Sequence, residues 1–197
     1  MKPTLRIIGI LLAVAFTTAG TGPAVSAQSG GWTTLLDGTT LKGWNIVGDA
    51  NWEVVDKAVQ ATKGTAGFLV TPVAYGDFQL TLEFWVSDDA NSGVFIRCQD
   101  PKSIAATNAY EVNVYDKRPD PAYRTGAIVD VAKPLANLNT GGRWNTFDIT
   151  AQGPKLTVVL NGTKTVETEH KAYARGPIAL QYGAGTVRFR NVRIRTL

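Results

Sequence analysis

The stretch FQLTLEFWV, Phe78–Val86, decides the fold class by its alternation. Phe78, Leu80, Leu82, Phe84 and Val86 fall on one face of an extended chain, and Gln79, Thr81, Glu83 and Trp85 on the other. Successive side chains of a strand point to opposite sides, so this period of 2 predicts a half-buried β-strand. Working outward, residues 93–98, 110–115, 125–131, 144–150, 155–160, 163–167, 178–182 and 186–195 are also strand-like. Asn161-Gly162 between two of them predicts a type I′ hairpin. The phase slips at Asn191, which predicts a β-bulge. About a dozen short strands with frequent turn signals, and no sustained helical period, predict one β-sandwich or jelly roll.

The N-terminus reads differently. Lys2 and Arg6 bracket the start, residues 7–16 are apolar, and small residues end in Val25-Ser26-Ala27. This order predicts a signal peptide over 1–27, cleaved near Ala27, ahead of a single domain over 28–197. The apolar run is short for a bilayer span. No later segment reaches that length, so no membrane span is expected after cleavage. The expected location is secreted or periplasmic. Without Lys2 and Arg6 the chain has 18 basic and 16 acidic residues, too even a balance to call for a nucleic-acid partner. The lone Cys98 cannot form a disulfide within the chain. Its apolar neighbours predict a small buried hydrophobe.

Alternation also selects a face for chemistry. Glu83 and Trp85, then Phe95 and Arg97, then Glu111, Asn113 and Tyr115 take the positions opposite apolar partners on three strands read as neighbours. A purely solvated face usually carries Lys, Thr and Ser. A mixture of aromatic rings with Arg, Asn and Glu fits a saccharide, whose C–H faces stack on rings and whose hydroxyls take polar groups. The alternative is an exposed sheet stabilised by cross-strand pairs. Several chemistries lack their residues. His170 has no nucleophile motif for a Ser/His/Asp hydrolase. No zinc-ligand spacing or phosphate loop is present. Sandwich glycosidases often carry carboxylates at alternate positions of one strand; here Glu111, Asn113 and Tyr115 take those positions and Asp116 has the opposite phase, which weakens ordinary two-carboxylate glycoside hydrolysis. Arg188, Arg190, Arg193 and Arg195 read as a solvated face of the terminal strand.

An ordered set of motifs then carries a family resemblance: GWTTLLDGTTLKGW (31–44), SGVFIR (92–97), YEVNVYD (110–116), TGAIVDV (125–131), GRWNTFDITAQGPKLTVVLNG (142–162), GPIALQ (176–181) and VRFRNVRI (187–194). The chain resembles the 3-keto-disaccharide hydrolase domain, a concanavalin-like or laminin-G-like jelly roll. The resemblance implies cleavage of small oxidised saccharides, the 3-keto-glycosides, by β-elimination followed by hydration. A ketone at C3 acidifies the C2 proton, so one base, an oxyanion stabiliser and an acid for the leaving group suffice. Glu111 matches an acid of the motif and is the expected base or substrate grip. Arg97 is expected to stabilise enolate charge, and Asp116 to orient a partner or bind substrate at the rim. Gln181 is expected to bind a hydroxyl and Trp85 to stack on the sugar, with Glu83, Asn113 and Tyr115 on the same face. No organic cofactor is expected, and a structural calcium ion is left open. One departure stands out: Gln181 is followed by Tyr182-Gly183-Ala184, without the His that family members often carry there. A non-catalytic carbohydrate-binding module or a laminin-G-like interaction domain is the alternative.

Overall fold

A computed structural model describes residues 31–197 together with Met1. The expected signal segment otherwise lies outside the described residues. Among the described residues thirteen strands form two antiparallel sheets, and the only helical turn is a 3-10 turn at Pro121–Tyr123. The strands are β1 (Thr33–Leu36), β2 (Asn45–Gly48), β3 (Glu53–Val55), β4 (Ala58–Ala61), β5 (Gly67–Val70), β6 (Phe78–Val86) and β7 (Asn91–Ile96). They continue with β8 (Tyr110–Val114), β9 (Trp144–Gln152), β10 (Lys155–Leu160), β11 (Thr163–Glu169), β12 (Ala179–Ala184) and β13 (Val187–Thr196). The larger sheet runs β11-β10-β9-β6-β13-β4-β3, with β1 also on β13. The smaller runs β2-β5-β12-β7-β8.

The predicted alternation of β6 holds throughout. Its five apolar side chains are buried and its four others are partly exposed. They face Val94, Ile96, Val112, Val114, Leu180 and Tyr182 from the smaller sheet across one core. Phe84 and Phe147 stack there at 4.8 Å between ring centroids. The Asn161-Gly162 turn has φ of 50° and 79°, the pair of positive values that type I′ requires. The bulge falls at Asn191, φ 53°, where the pairing of β13 with β6 shifts between Arg190 and Arg193.

Residues 125–131 do not form the expected strand. Asn113 and Glu111 hold this segment to the edge of β8 through Asn113 N donating to Ala127 O and Val129 N donating to Glu111 O, both at 3.0 Å. Gly126 at φ 89° and Asp130 at φ 59° bend the chain at each side, so a ladder cannot propagate. The result is an irregular rim along β8. Among the described residues no helix is long and apolar enough to cross a membrane.

Candidate functional site

The three strands read as neighbours belong to two sheets. β7 pairs with β8, but β6 lies between β9 and β13 in the other sheet. Glu83 and Trp85 therefore face outward on the far side of the molecule from Glu111. Glu83 accepts from Arg190 Nε and Asn191 Nδ2, both at 2.7 Å. Burial pushes its carboxyl up, but those bonds and the arginine charges outweigh it and hold the group below its ordinary value. Trp85 pairs across strands with Trp144 on one side and Arg188 on the other. Arg190 packs 3.8 Å from the Trp144 ring centroid. These residues brace the larger sheet.

Arg97 is also displaced from the expected face. β7 ends at Ile96, and Arg97 at φ 55° turns its side chain into the protein, where it is 1% exposed. Its Nε donates to Gly76 O at 3.0 Å, one terminal nitrogen to Gly153 O at 2.8 Å and Tyr173 O at 3.0 Å, and the other to Asp77 Oδ1 at 3.0 Å. A guanidinium so occupied has no role at an enolate. Asp116 is likewise occupied. Its carboxylate accepts from the Thr125 hydroxyl, from the Thr140 hydroxyl at 2.9 Å and backbone N–H, and from Gly141 N at 3.1 Å. It clamps two loops rather than addressing a ligand. Tyr115 stands at the start of the same loop, with the Arg118 guanidinium 5.8 Å from its ring centroid.

Glu111, Asn113 and Gln181 do come together, on the outer face of the smaller sheet. Gln181 on β12 and Asn113 on β8 both pair with Gly93 on β7, and Glu111 pairs with Phe95 one step along. Gly93 is the reason they can converge. A methyl group there would lie 3.3 Å from Gln181 Oε1, Glu111 Cγ and Glu111 Oε1 alike, so the absent side chain leaves the space that these polar ends share. Gln181 Oε1 and Asn113 Oδ1 are buried and have no hydrogen-bond partner among the described residues. Buried acceptors are ordinarily paired, so two orphans on one face mark a place where a ligand's donors would fit. The Asn113 amide is oriented by donating to Tyr123 O.

Burial pushes the Glu111 carboxyl up to about 7, with Arg118 pulling it down and Asp130 pushing it further up. On one side lies an apolar wall: Phe95 is buried under Phe68, whose ring meets it edge-on at 5.4 Å, with Val47 and Ile104 packed against them. On the other side loop 116–125 and the 125–131 rim bring Arg118, Tyr123 and Asp130. Arg118 is exposed, lies 5.9 Å from the Tyr123 ring centroid and makes no salt bridge among the described residues. The sequence reading missed these three. A signal existed in the charged and aromatic density of DKRPDPAYR, a proline-stiffened loop between two strands, since loops on rigid scaffolds carry binding groups.

Two remaining groups have structural roles. Cys98 is buried as expected, and burial pushes its thiol up to about 12, far from a reactive thiolate. His170 contacts Tyr110 on the inner side of β8, where the Tyr110 hydroxyl donates to His170 O at 3.0 Å. Among the described residues no three His, Cys, Asp or Glu side chains gather as metal ligands would.

Solved structures share the architecture. A candidate glycosyl hydrolase from Parabacteroides distasonis ATCC 8503 matches at TM-score 0.75 and 21% identity, over 85% of this chain and 94% of that one. A second from the same organism matches at TM-score 0.71 and 25% identity, over 85% and 100%. A carbohydrate-binding module from Bacillus subtilis matches at 0.62 and 16% identity, over 76% and 93%. A comparison with curated proteins found no match. The model of the 3-keto-alpha-glucoside-1,2-lyase-like domain matches residues 31–195, nearly all of the described chain. The chain belongs to that family, which ties it to glycoside chemistry.

Proposed function

We propose that the protein cleaves 3-keto-glycosides on the outer face of its smaller sheet, with Glu111 as the base. The observation that carries this reading is the Glu111 carboxyl, held near pH 7 and sharing the space above Gly93 with an unpaired Gln181 oxygen. A base whose pKa lies near the working pH combines a useful ionised fraction with real proton affinity.

The ionised Glu111 takes the C2 proton, and the electron pair moves into the C2–C3 bond, placing charge on the C3 oxygen. When the ketone re-forms, the pair becomes the C1–C2 double bond and the C1–O bond breaks. The departing oxygen takes a proton. Water then adds across the double bond, its oxygen to C1 and a proton to C2. The net change is hydrolysis. Arg118 replaces Arg97 as the cation for the enolate oxygen, because it is the guanidinium at this face that no carboxylate holds. Gln181 Oε1 and Asn113 Oδ1 accept sugar hydroxyls. None of these steps requires a histidine after Gln181. A location outside the cytoplasm is part of this proposal, and the signal-like N-terminal pattern supports it.

The test is release of a chromogenic alcohol from its 3-keto-glucoside by the mature protein. Wild type is expected to release it, and Glu111→Gln to lose at least 100-fold in kcat, about the effect of removing a general base. Equal rates in the two proteins would remove Glu111 from the mechanism. Saturable glycan binding with no release would make this chain a non-catalytic carbohydrate-binding member instead.

A further inference from the structure

The four arginines of β13 take no part in the reaction proposed for Glu111. They pair with Trp85, Glu83, Thr81 and Gln79 of β6, and so stand on the outer face of the larger sheet. The two before the bulge are met by carboxylates: Arg190 by Glu83 at 2.6 Å and Arg188 by Asp56 at 3.4 Å. The two after it, Arg193 and Arg195, make no salt bridge among the described residues. Both guanidiniums instead flank the Trp32 ring, 5.7 and 5.2 Å from its centroid. Trp32 itself is 44% exposed.

Trp32 also walls a cavity of about 210 Å³, lined in part by Gln79, Asp148 and Thr150. Sheet register brings these groups together. Gln79 pairs with Thr150 on one side and Arg195 on the other, and Thr81 pairs with Asp148 and Arg193 in the same way. The two rows set a hydroxyl and a carboxylate on one side of β6 and two cations on the other. Arg195 reaches the edge of the cavity, since a terminal nitrogen donates to Gln79 Oε1.

We infer that this cavity is a second binding site, independent of the Glu111 face, and that it takes a sugar ring bearing one carboxylate, a hexuronate unit of an acidic polysaccharide. The volume lies below the roughly 300–1,000 Å³ of whole small-ligand sites, so it holds one ring of a longer molecule. The exposed indole offers a stacking surface for the ring's C–H face. Asp148 and Thr150 can take hydroxyls. Two cations against one carboxylate leave a single positive charge to be answered. A ligand carboxylate answers it and matches the planar fork of a guanidinium. A neutral ring would leave Arg195 without a counter-charge, and a doubly charged phosphate would meet Asp148. A nucleic-acid strand needs a run of free cations, whereas Arg188 and Arg190 on the same strand are already held by carboxylates.

The experiment titrates the mature protein with trigalacturonate in a calorimeter. Wild type is expected to bind saturably, and to bind the carboxyl-reduced, neutral trimer at least tenfold more weakly. Arg195→Gln and Trp32→Ala are each expected to weaken trigalacturonate binding about tenfold, the scale of one charge-assisted hydrogen bond or one stacked ring. Arg193 is exposed, so Arg193→Gln keeps the fold whatever the other two variants do, and it is expected to cost about threefold, the size of an exposed charge interaction. Glu111→Gln is expected to bind as wild type does, which separates this site from the reaction: loss of turnover there leaves the site standing. No binding by wild type, or equal affinity for the neutral trimer, overturns the site. Binding lost in Glu111→Gln but kept in Trp32→Ala overturns it as well, by placing the ligand on the opposite face. A DNA oligonucleotide that binds more tightly than trigalacturonate, and through Trp32 and Arg195, overturns the uronate assignment.

Discussion

Withdrawing a guanidinium from water costs several kcal/mol unless its donors are met. Arg97 meets that requirement with three backbone carbonyls and Asp77, gathering the segments at Gly76, Gly153 and Tyr173 around one cation. Lysine cannot reproduce this, since its three donors do not form a planar fork. Arg97→Lys is expected to destabilise the protein by about 3 kcal/mol, within the range for breaking a buried charged network, while kcat measured well below the melting temperature stays unchanged. Thermal melts and kinetics on one preparation check this. A large loss of kcat at full folding would restore Arg97 to the site. Glu111 shows the opposite arrangement: its carboxyl is withdrawn from water, and Arg118 acts on it only as a charge at a distance. Sequence alternation puts Glu111 and Asn113 on one face, and they share that face with Gln181, because each lies inside a regular strand where parity sets the face. It failed for Arg97 because a single residue at positive φ, one position past the strand end, breaks parity.

At the scale of elements, the site depends on how loop 116–125 is held. Asp116 joins that loop to residues 140–141, and Thr125 both donates to Asp116 and accepts from Tyr115 N at 2.8 Å. The clamp fixes the loop that carries Arg118 and Tyr123. In Asp116→Asn, one oxygen becomes an NH₂ group, and whichever side it takes, the two backbone N–H groups or the two hydroxyls lose their acceptor. A loss of about 1–3 kcal/mol is expected, the cost of an unsatisfied buried partner, together with a rise in KM larger than the fall in kcat. Calorimetry and steady-state kinetics read these separately, and an unchanged KM would detach the clamp from the site. Long elements were legible in the sequence: β6, β9, β10 and β13 carry enough residues for their period to show. The first five strands, three or four residues each, are too short for any period to be counted. Segment 125–131 has strand composition, yet Gly126 and Asp130 bend it into a rim, and it is that bend which places Asp130 near Glu111.

At the scale of the whole molecule, alternation tells which way a side chain points but not which sheet its strand joins. For that reason Glu83 and Trp85 were grouped with residues that lie on the far side of the sandwich. Pairing between β6 and β13, or β7 and β12, joins segments about a hundred residues apart, and no local pattern encodes it. The same global packing makes function and stability oppose each other at Glu111. The folded protein holds this carboxyl at about 7, against an ordinary value of 4.5. The fold thus favours the neutral form, and between pH 4.5 and 7 the folded state binds more protons than the unfolded chain. Stability from this group therefore falls as pH rises through that window and stays lowered above it, by on the order of 3 kcal/mol at most. Activity runs the other way, since the base must be ionised, and kcat/KM is expected to rise with pH through about 7. Glu111→Gln removes the ionisation while keeping the shape. Its melting temperature is expected to exceed that of wild type at pH 8 and to match it at pH 4, below both values, while turnover is lost at both. Melts at the two pH values decide this. A variant less stable than wild type at pH 8 would mean that the ionised carboxylate is satisfied in the fold, and the pH-dependent base would lose its physical footing.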